Sequence, residues 1–204
     1  MIDKSKFNGF KPSQPTGERM TLPAGVYEGR ILAARVDIVG NTQTLLLQVD
    51  IEGGEYAGFY KKQYEASKGG QYPAKYKGVY RIQLPDGTDP QHDGWRQHQL
   101  EGVVWALEDG NIGYHWDWDE NKLKGLRVGL NVRERDYYYQ GKSGTTTEIG
   151  RLESIAKLHS TDPDERPKPM KKRELSEREK RQKVQDEAQA GGFVEVESEE
   201  LPWS

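Results

Sequence analysis

The stretch Leu126-Arg-Val-Gly-Leu-Asn-Val-Arg-Glu-Arg-Asp-Tyr-Tyr-Tyr139 alternates with period two. Leu126, Val128, Leu130 and Val132 fall on one face, and Arg127, Gly129, Asn131, Arg133, Arg135, Tyr137 and Tyr139 on the other. Such alternation predicts a half-buried strand. The even face supplies core. The odd face points outward, with three Arg, one Asn and two Tyr.

The same period recurs on both sides. Val26–Ile38 is a long apolar-rich run that can bend at Gly29 and at Ala33-Ala34, and Gly40-Asn41 follows as a tight turn. Thr44–Glu52 puts Leu45, Leu47, Val49 and Ile51 on one face. Gly53-Gly54 predicts a turn, Phe59–Tyr64 a third strand, and Gly78–Leu84 an extra strand. The period then changes. Leu100, Val103, Val104 and Leu107 form one helical stripe, with Asp93 as a candidate N-cap and Gly110-Asn111 as the stop. Ile149, Gly150, Leu152 and Ile155 mark a last strand, reached through a turn at Gly141–Gly144. Short strands joined by Gly turns predict a barrel or a sandwich. One helix between the third and fourth main strands is the layout of an OB-fold, a five-stranded Greek-key barrel. The expectation is a mainly β, OB-fold-like barrel over 22–158 with an extra strand or loop insertion. A β-sandwich with a decorating helix is the alternative.

Composition sets the flanks. Apolar residues are 33% of 204 and charged residues 31%, so part of the chain is not core. Residues 1–158 hold 21 basic and 21 acidic side chains, so the net charge of -3 comes entirely from 159–204. Three prolines in 160–169 break helix and sheet alike, and Arg173–Ala190 has only Leu175 and Val184 as sizeable apolar side chains. Residues 159–190 read as a charged linker, disordered or a solvent helix with nothing to pack against. Residues 1–21 read as a loosely held arm, and 191–204 as a disordered acidic tail.

Most catalytic and metal motifs fail. There is no cysteine, so thiolate catalysis and Cys-based zinc sites are excluded. His92, His98, His115 and His159 lack ligand spacing. Asp117–Val128 begins like a calcium loop but has Lys122 at its sixth position and Val128 at its twelfth. Gly141-Lys142-Ser143 lacks the leading glycine of a P-loop, and no serine lies in a nucleophile elbow. No enzyme, cofactor or metal is expected. No apolar run is long enough for a membrane span, and the N-terminus lacks the pattern of a signal peptide.

What remains is aromatic and cationic. The β-strand face of Arg127, Arg133, Arg135, Tyr137 and Tyr139 offers guanidinium groups and rings. The segment 56–81 repeats that chemistry with Tyr60, Lys61, Lys62, Lys75, Lys77 and Arg81. Rings stack bases without reading sequence, and cations track a phosphate backbone. Tyr is also simply a good strand former and Lys a good solubiliser. Trp95, Trp105, Trp116 and Trp118 are assigned first to packing. The tail closes on Leu201, Pro202 and Trp203, an apolar cluster behind an acidic strip, which suits docking to a partner's basic-rimmed pocket.

Glu197–Trp203 resembles the acidic tails of bacterial single-stranded DNA-binding proteins, although it ends in Trp-Ser. The core is similar to replication-associated proteins of phages and integrated elements of Gram-positive hosts. The residues that carry this are Leu107–Asn111, Tyr114–Asp117, Leu123-Lys-Gly-Leu-Arg-Val-Gly129, Arg135–Tyr137, Gly141-Lys142 and Thr147-Glu148. The resemblance implies an OB-fold and a non-catalytic single-strand binder of a replication or recombination cassette. The expected compartment is the cytoplasm of a bacterial host, the expected partners of the tail are replication or recombination proteins, and a homo-oligomer is an option. The competing readings are an interaction protein without nucleic acid, such as an inhibitor of a host defence enzyme, and a carbohydrate-binding module.

Overall fold

The computed structural model describes residues 21–40, 42–68 and 73–190. Five strands form one antiparallel sheet: β1 (Gly25–Val39), β2 (Thr42–Ile51), β3 (Val79–Gln83), β4 (Arg127–Tyr139) and β5 (Lys142–Glu153), in the order β3-β2-β1-β4-β5. The helices are α1 (Phe59–Ser67), α2 (Pro90–Gly110), α3 (Ile155–Leu158) and α4 (Glu177–Ala190), with a 3-10 turn at Glu120–Leu123.

β1 is shared between two halves of the sheet. Its start pairs with β4, from Gly25↔Val132 to Arg30↔Arg127, and its remainder pairs with β2 as far as Val39↔Thr42. A bulge between Ile31 and Ala33 bends the strand where the pairing changes hands. Gly29 lies there because a Cβ would stand 2.7 Å from the Leu130 side chain. The concave side closes on Ile31, Leu45, Leu47, Val49, Ile82, Val128, Leu130 and Val132, all buried as their alternation requires. The sheet stays open, because no pairing joins β3 to β5. Across that opening lies α2, burying Val103, Ala106 and Leu107, with Gln99 Nε2 donating to the Tyr80 hydroxyl on β3 at 3.1 Å.

Several expectations are corrected. Phe59–Tyr64 is the first part of α1, not a strand. Its burial falls on Phe59, Tyr60, Gln63 and Tyr64, which is helical spacing. The buried carboxylate of Asp50 on β2 accepts from the amides of Tyr60 and Lys61, each at 3.0 Å, and so caps the helix from outside. The segment expected as an extra strand is therefore β3. The N-cap of α2 is Asp89, followed by Pro90. Asp93 instead accepts from the amides of Asp86 and Gly87 and from Arg96. The β4–β5 turn is the tighter pair Gln140-Gly141, both at positive φ. Ile155 belongs to α3, capped by Ser154, and not to β5.

Within 159–190, Glu177–Ala190 is a helix, and the expectation that it has nothing to pack against fails. Beyond Val132, β4 has no β1 neighbour, and Arg173 fills the free edge. The Arg173 amide donates to the Glu134 carbonyl at 2.8 Å, and the Asp136 amide to the Arg173 carbonyl at 2.9 Å. Asn131, buried, donates to the Lys168 carbonyl and accepts from the Met170 amide. Residues 168–190 thus form a strap over β4. The N-terminal residues 1–20 and the tail with Leu201, Pro202 and Trp203 lie outside the described residues.

Candidate nucleic-acid interface

The cations singled out in the sequence separate into two sets. On β4 each arginine has a carboxylate partner. Arg127 pairs with Glu28 and Glu52, both at 3.1 Å, and Glu52 also holds Arg30. His159 lies 3.0 Å from the other oxygen of Glu28. Arg133 donates through Nε and Nη2 to Glu148 on β5, at 3.0 and 2.8 Å. Arg135 reaches Glu179 of α4 at 2.8 Å and Glu148 at 3.6 Å. The odd face is therefore not an open surface: Gly129 and Asn131 are buried, and Arg133 and Arg135 are partly covered. Tyr138, on the even side, is buried and donates to Asp186 of α4 at 3.0 Å. Tyr137 leans its hydroxyl over Gly144, where a Cβ would stand 2.8 Å away. Tyr139 keeps an open ring, 64% exposed.

The second set is unencumbered. Lys61 and Lys62 on α1, Lys75 and Lys77 before β3, and Arg81 on β3 are exposed, and none makes an ion pair among the described residues. Tyr60 differs from them. It is 7% exposed, packed edge to face on Phe59 at 5.4 Å and in contact with Tyr76, and so belongs to the core. Burial, with the Asp50 charge beside it, raises its phenol far above the ordinary value.

These elements border an open groove of about 980 Å³ on the face of β1 and β2 away from the core. Its floor includes Arg30, Arg35, Gln48 and Asp50, and its wall includes Lys61, Tyr64 and Tyr76. Register explains the arrangement. Arg35 on β1 pairs with Leu46 on β2, which pairs with Arg81 on β3, so the three stand in one row on the face away from the core. Tyr76 packs against Tyr64 at 5.9 Å and donates to the Val49 carbonyl at 3.0 Å, which ties the lysine-bearing segment to the sheet. The groove's carboxylates are occupied: Asp50 by three backbone amides, Glu52 by Arg30 and Arg127, Glu65 by Lys68. Among the described residues Arg35 has one ion-pair partner, Asp37 at 3.4 Å, and its side chain is 73% exposed, so that pair holds it weakly. The groove thus sets Arg35 and Lys61 beside the half-buried rings of Tyr64 and Tyr76, with Lys68 over the Tyr64 ring at 4.8 Å.

Arg35 was missed in the sequence, although the alternation of Ala33, Arg35 and Asp37 against Ala34, Val36 and Ile38 carried the signal. Trp116 packs against the core as expected, but the other three tryptophans need correction. Trp95, Trp105 and Trp118 are largely exposed, because α2 buries the stripe Val103, Ala106 and Leu107 and carries Trp95 and Trp105 off it. Lys157 lies over the Trp105 ring at 4.7 Å.

Among the described residues no cluster of three or more His, Cys, Asp or Glu could hold a metal, and no helix is long and apolar enough to cross a membrane. No family model matches the chain, and no curated protein matches it.

Proposed function

We propose that this chain is a non-catalytic single-stranded DNA-binding protein of a phage or mobile-element replication or recombination cassette. The observation that carries the reading is the groove on the face of β1 and β2 away from the core. It joins unpaired cations, Lys61 in its wall and Lys75, Lys77 and Arg81 beside it, to the rings of Tyr64 and Tyr76. Stacking contributes about 1–3 kcal/mol per base whatever the base, and the cations follow the phosphates. Strand order supports an OB-type barrel: β3-β2-β1-β4-β5 is the order of that barrel opened between β3 and β5. OB-folds take oligonucleotides on the face of their second and third strands and on the β1–β2 and β4–β5 loops. Here the β1–β2 tip exposes Ile38 and Val39, and the β4–β5 tip exposes Tyr139. The acidic tail is assigned to a replication or recombination partner.

An electrophoretic shift with labelled oligo-dT and with duplex of equal length tests the reading. The single strand shifts at lower protein concentration, and its affinity falls with salt with a log-log slope of about -0.7 per phosphate neutralised. No shift at micromolar protein refutes it. One observation favours an interaction protein without nucleic acid: every arginine on the outward face of β4 is neutralised by a carboxylate. That reading predicts the absence of a shift.

A further inference from the structure

Two carboxylates of the strap Lys168–Ala190 turn inward: Glu179 to Arg135 at 2.8 Å and Asp186 to the Tyr138 hydroxyl at 3.0 Å. Glu179 also closes a capping box on Ser176, accepting from its amide at 2.9 Å and from its hydroxyl at 2.5 Å. Together these contacts fix the rotation of α4 about its own axis. Arg178, Arg181 and Gln185 stand at i, i+3 and i+7, with Gln182 beside them, along one shallow cleft of about 420 Å³ that Glu177 and Asp186 also line, the first paired with Lys180 and the second accepting from Tyr138. Arg178 and Arg181 are exposed and make no ion pair among the described residues, and the same holds for Lys168 and Lys171 at the start of the strap. The acidic residues on α4 beside them are matched: Glu177 by Lys180, Glu187 by Lys183.

We infer that the docked strap is a second polyanion track, in which Lys168, Lys171, Arg178 and Arg181 receive the phosphates of a strand that has left the groove. The occupant follows from the chemistry: cations without ion pairs, with amide side chains beside Arg178 and Arg181 and no aromatic ring in the cleft, suit a backbone and not bases. From Arg178 to Gln185 the helix rises about 10 Å, so it adds room for about two phosphates to the occluded site. The inference rests on the single-strand reading and extends it.

Fluorescence anisotropy on the full chain tests it, with oligo-dT of about 8 and about 24 nucleotides. Wild type binds the long strand more tightly and with a steeper salt dependence than the short one. Arg178→Glu with Arg181→Glu keeps the short-strand affinity and loses the gain from length, and its long-strand slope falls by about 1.4, the equivalent of two phosphates. Glu179→Gln is the second variant. It removes a negative charge, so charge alone would tighten long-strand binding, whereas undocking the track weakens it. An unchanged long-strand slope in the double variant, or tighter binding in Glu179→Gln, overturns the track and leaves the groove intact. Wild type that binds neither length overturns both.

Discussion

Replacing Asp50 with Ala separates the geometry of the groove from its charge. Asp50 is 6% exposed and accepts three backbone hydrogen bonds, from Ile51 at 2.9 Å and from Tyr60 and Lys61 at 3.0 Å. Two of those donors are first-turn amides of α1, which has no cap of its own because Gly58 precedes it. Loss of an N-cap costs about 0.5–2 kcal/mol, and a buried donor left without a partner about 1–3. The sum expected here is about 2–3 kcal/mol, because α1 can fray and let water reach one amide. For a chain of this size that lowers Tm by roughly 4–12 °C. Fraying also withdraws Lys61 and Tyr64 from the wall. If Tyr64 stacks one base at about 1 kcal/mol or more, its loss weakens single-strand binding about fivefold or more. The field predicts the opposite, since the substitution deletes a negative charge from the floor. Circular dichroism melts give the stability, and anisotropy with labelled oligo-dT, read well below the variant's Tm, gives the affinity. Binding equal to or tighter than wild type, in a variant whose Tm has fallen, refutes the groove as the site. An unchanged Tm refutes Asp50 as the cap.

Arg133→Glu with Arg135→Glu, a change that looks harmless on an outward strand face, is expected to destabilise by at least about 2 kcal/mol, because it sets new carboxylates against Glu148 and Glu179; denaturant unfolding measures it. The Glu179 carboxyl is held down from its ordinary 4.5 to about 2, chiefly by the Ser176 hydroxyl and amide, with Arg135 adding to them. A depressed carboxylate stabilises fully above its unfolded value, so the α4 cap and its contact with Arg135 hold down to pH 4.5 and are lost between there and pH 2, which loosens the strap. Exchange of the Arg173 and Asp136 amide protons, which bridge strap and β4, reports that loss, and a transition near neutrality would contradict it. In the tail, Trp203→Ala is expected to abolish recovery of a replication or recombination partner in a pull-down from host cells. Deleting 191–204 should leave single-strand affinity equal or slightly higher at low salt. Identical partners with both proteins would make the tail an ordinary terminus.

The strands were legible where one face is buried. Leu45, Leu47 and Val49, and Val128, Leu130 and Val132, are core residues that alternation alone identified. The helical stripe of α2 was legible for the same reason. Phe59–Tyr64 was misread because aromatics favour strands, while the group that decides for helix, Asp50, lies on a different element. The site was legible in residue type but not in availability. Arg127 meets its partners 75 and 99 residues away, and Arg135 meets Glu179 across a fold that local pattern does not encode. The strap carried one readable sign, the capping box from Ser176 to Glu179, but its docking depends on the edge that β4 leaves bare after Val132. Tyr60 shows the converse: its neighbours at 61 and 62 reach solvent while it turns into the core.

Photocrosslinking tests the central claim most directly. Oligo-dT carrying 4-thiothymine is bound to the full chain, irradiated, and the adducts are mapped by peptide mass spectrometry. The account predicts adducts on peptides spanning 61–64 and 74–81, the wall and flank of the groove. Adducts confined to Arg127–Tyr139, or none at a protein concentration that shifts the same strand, would contradict it.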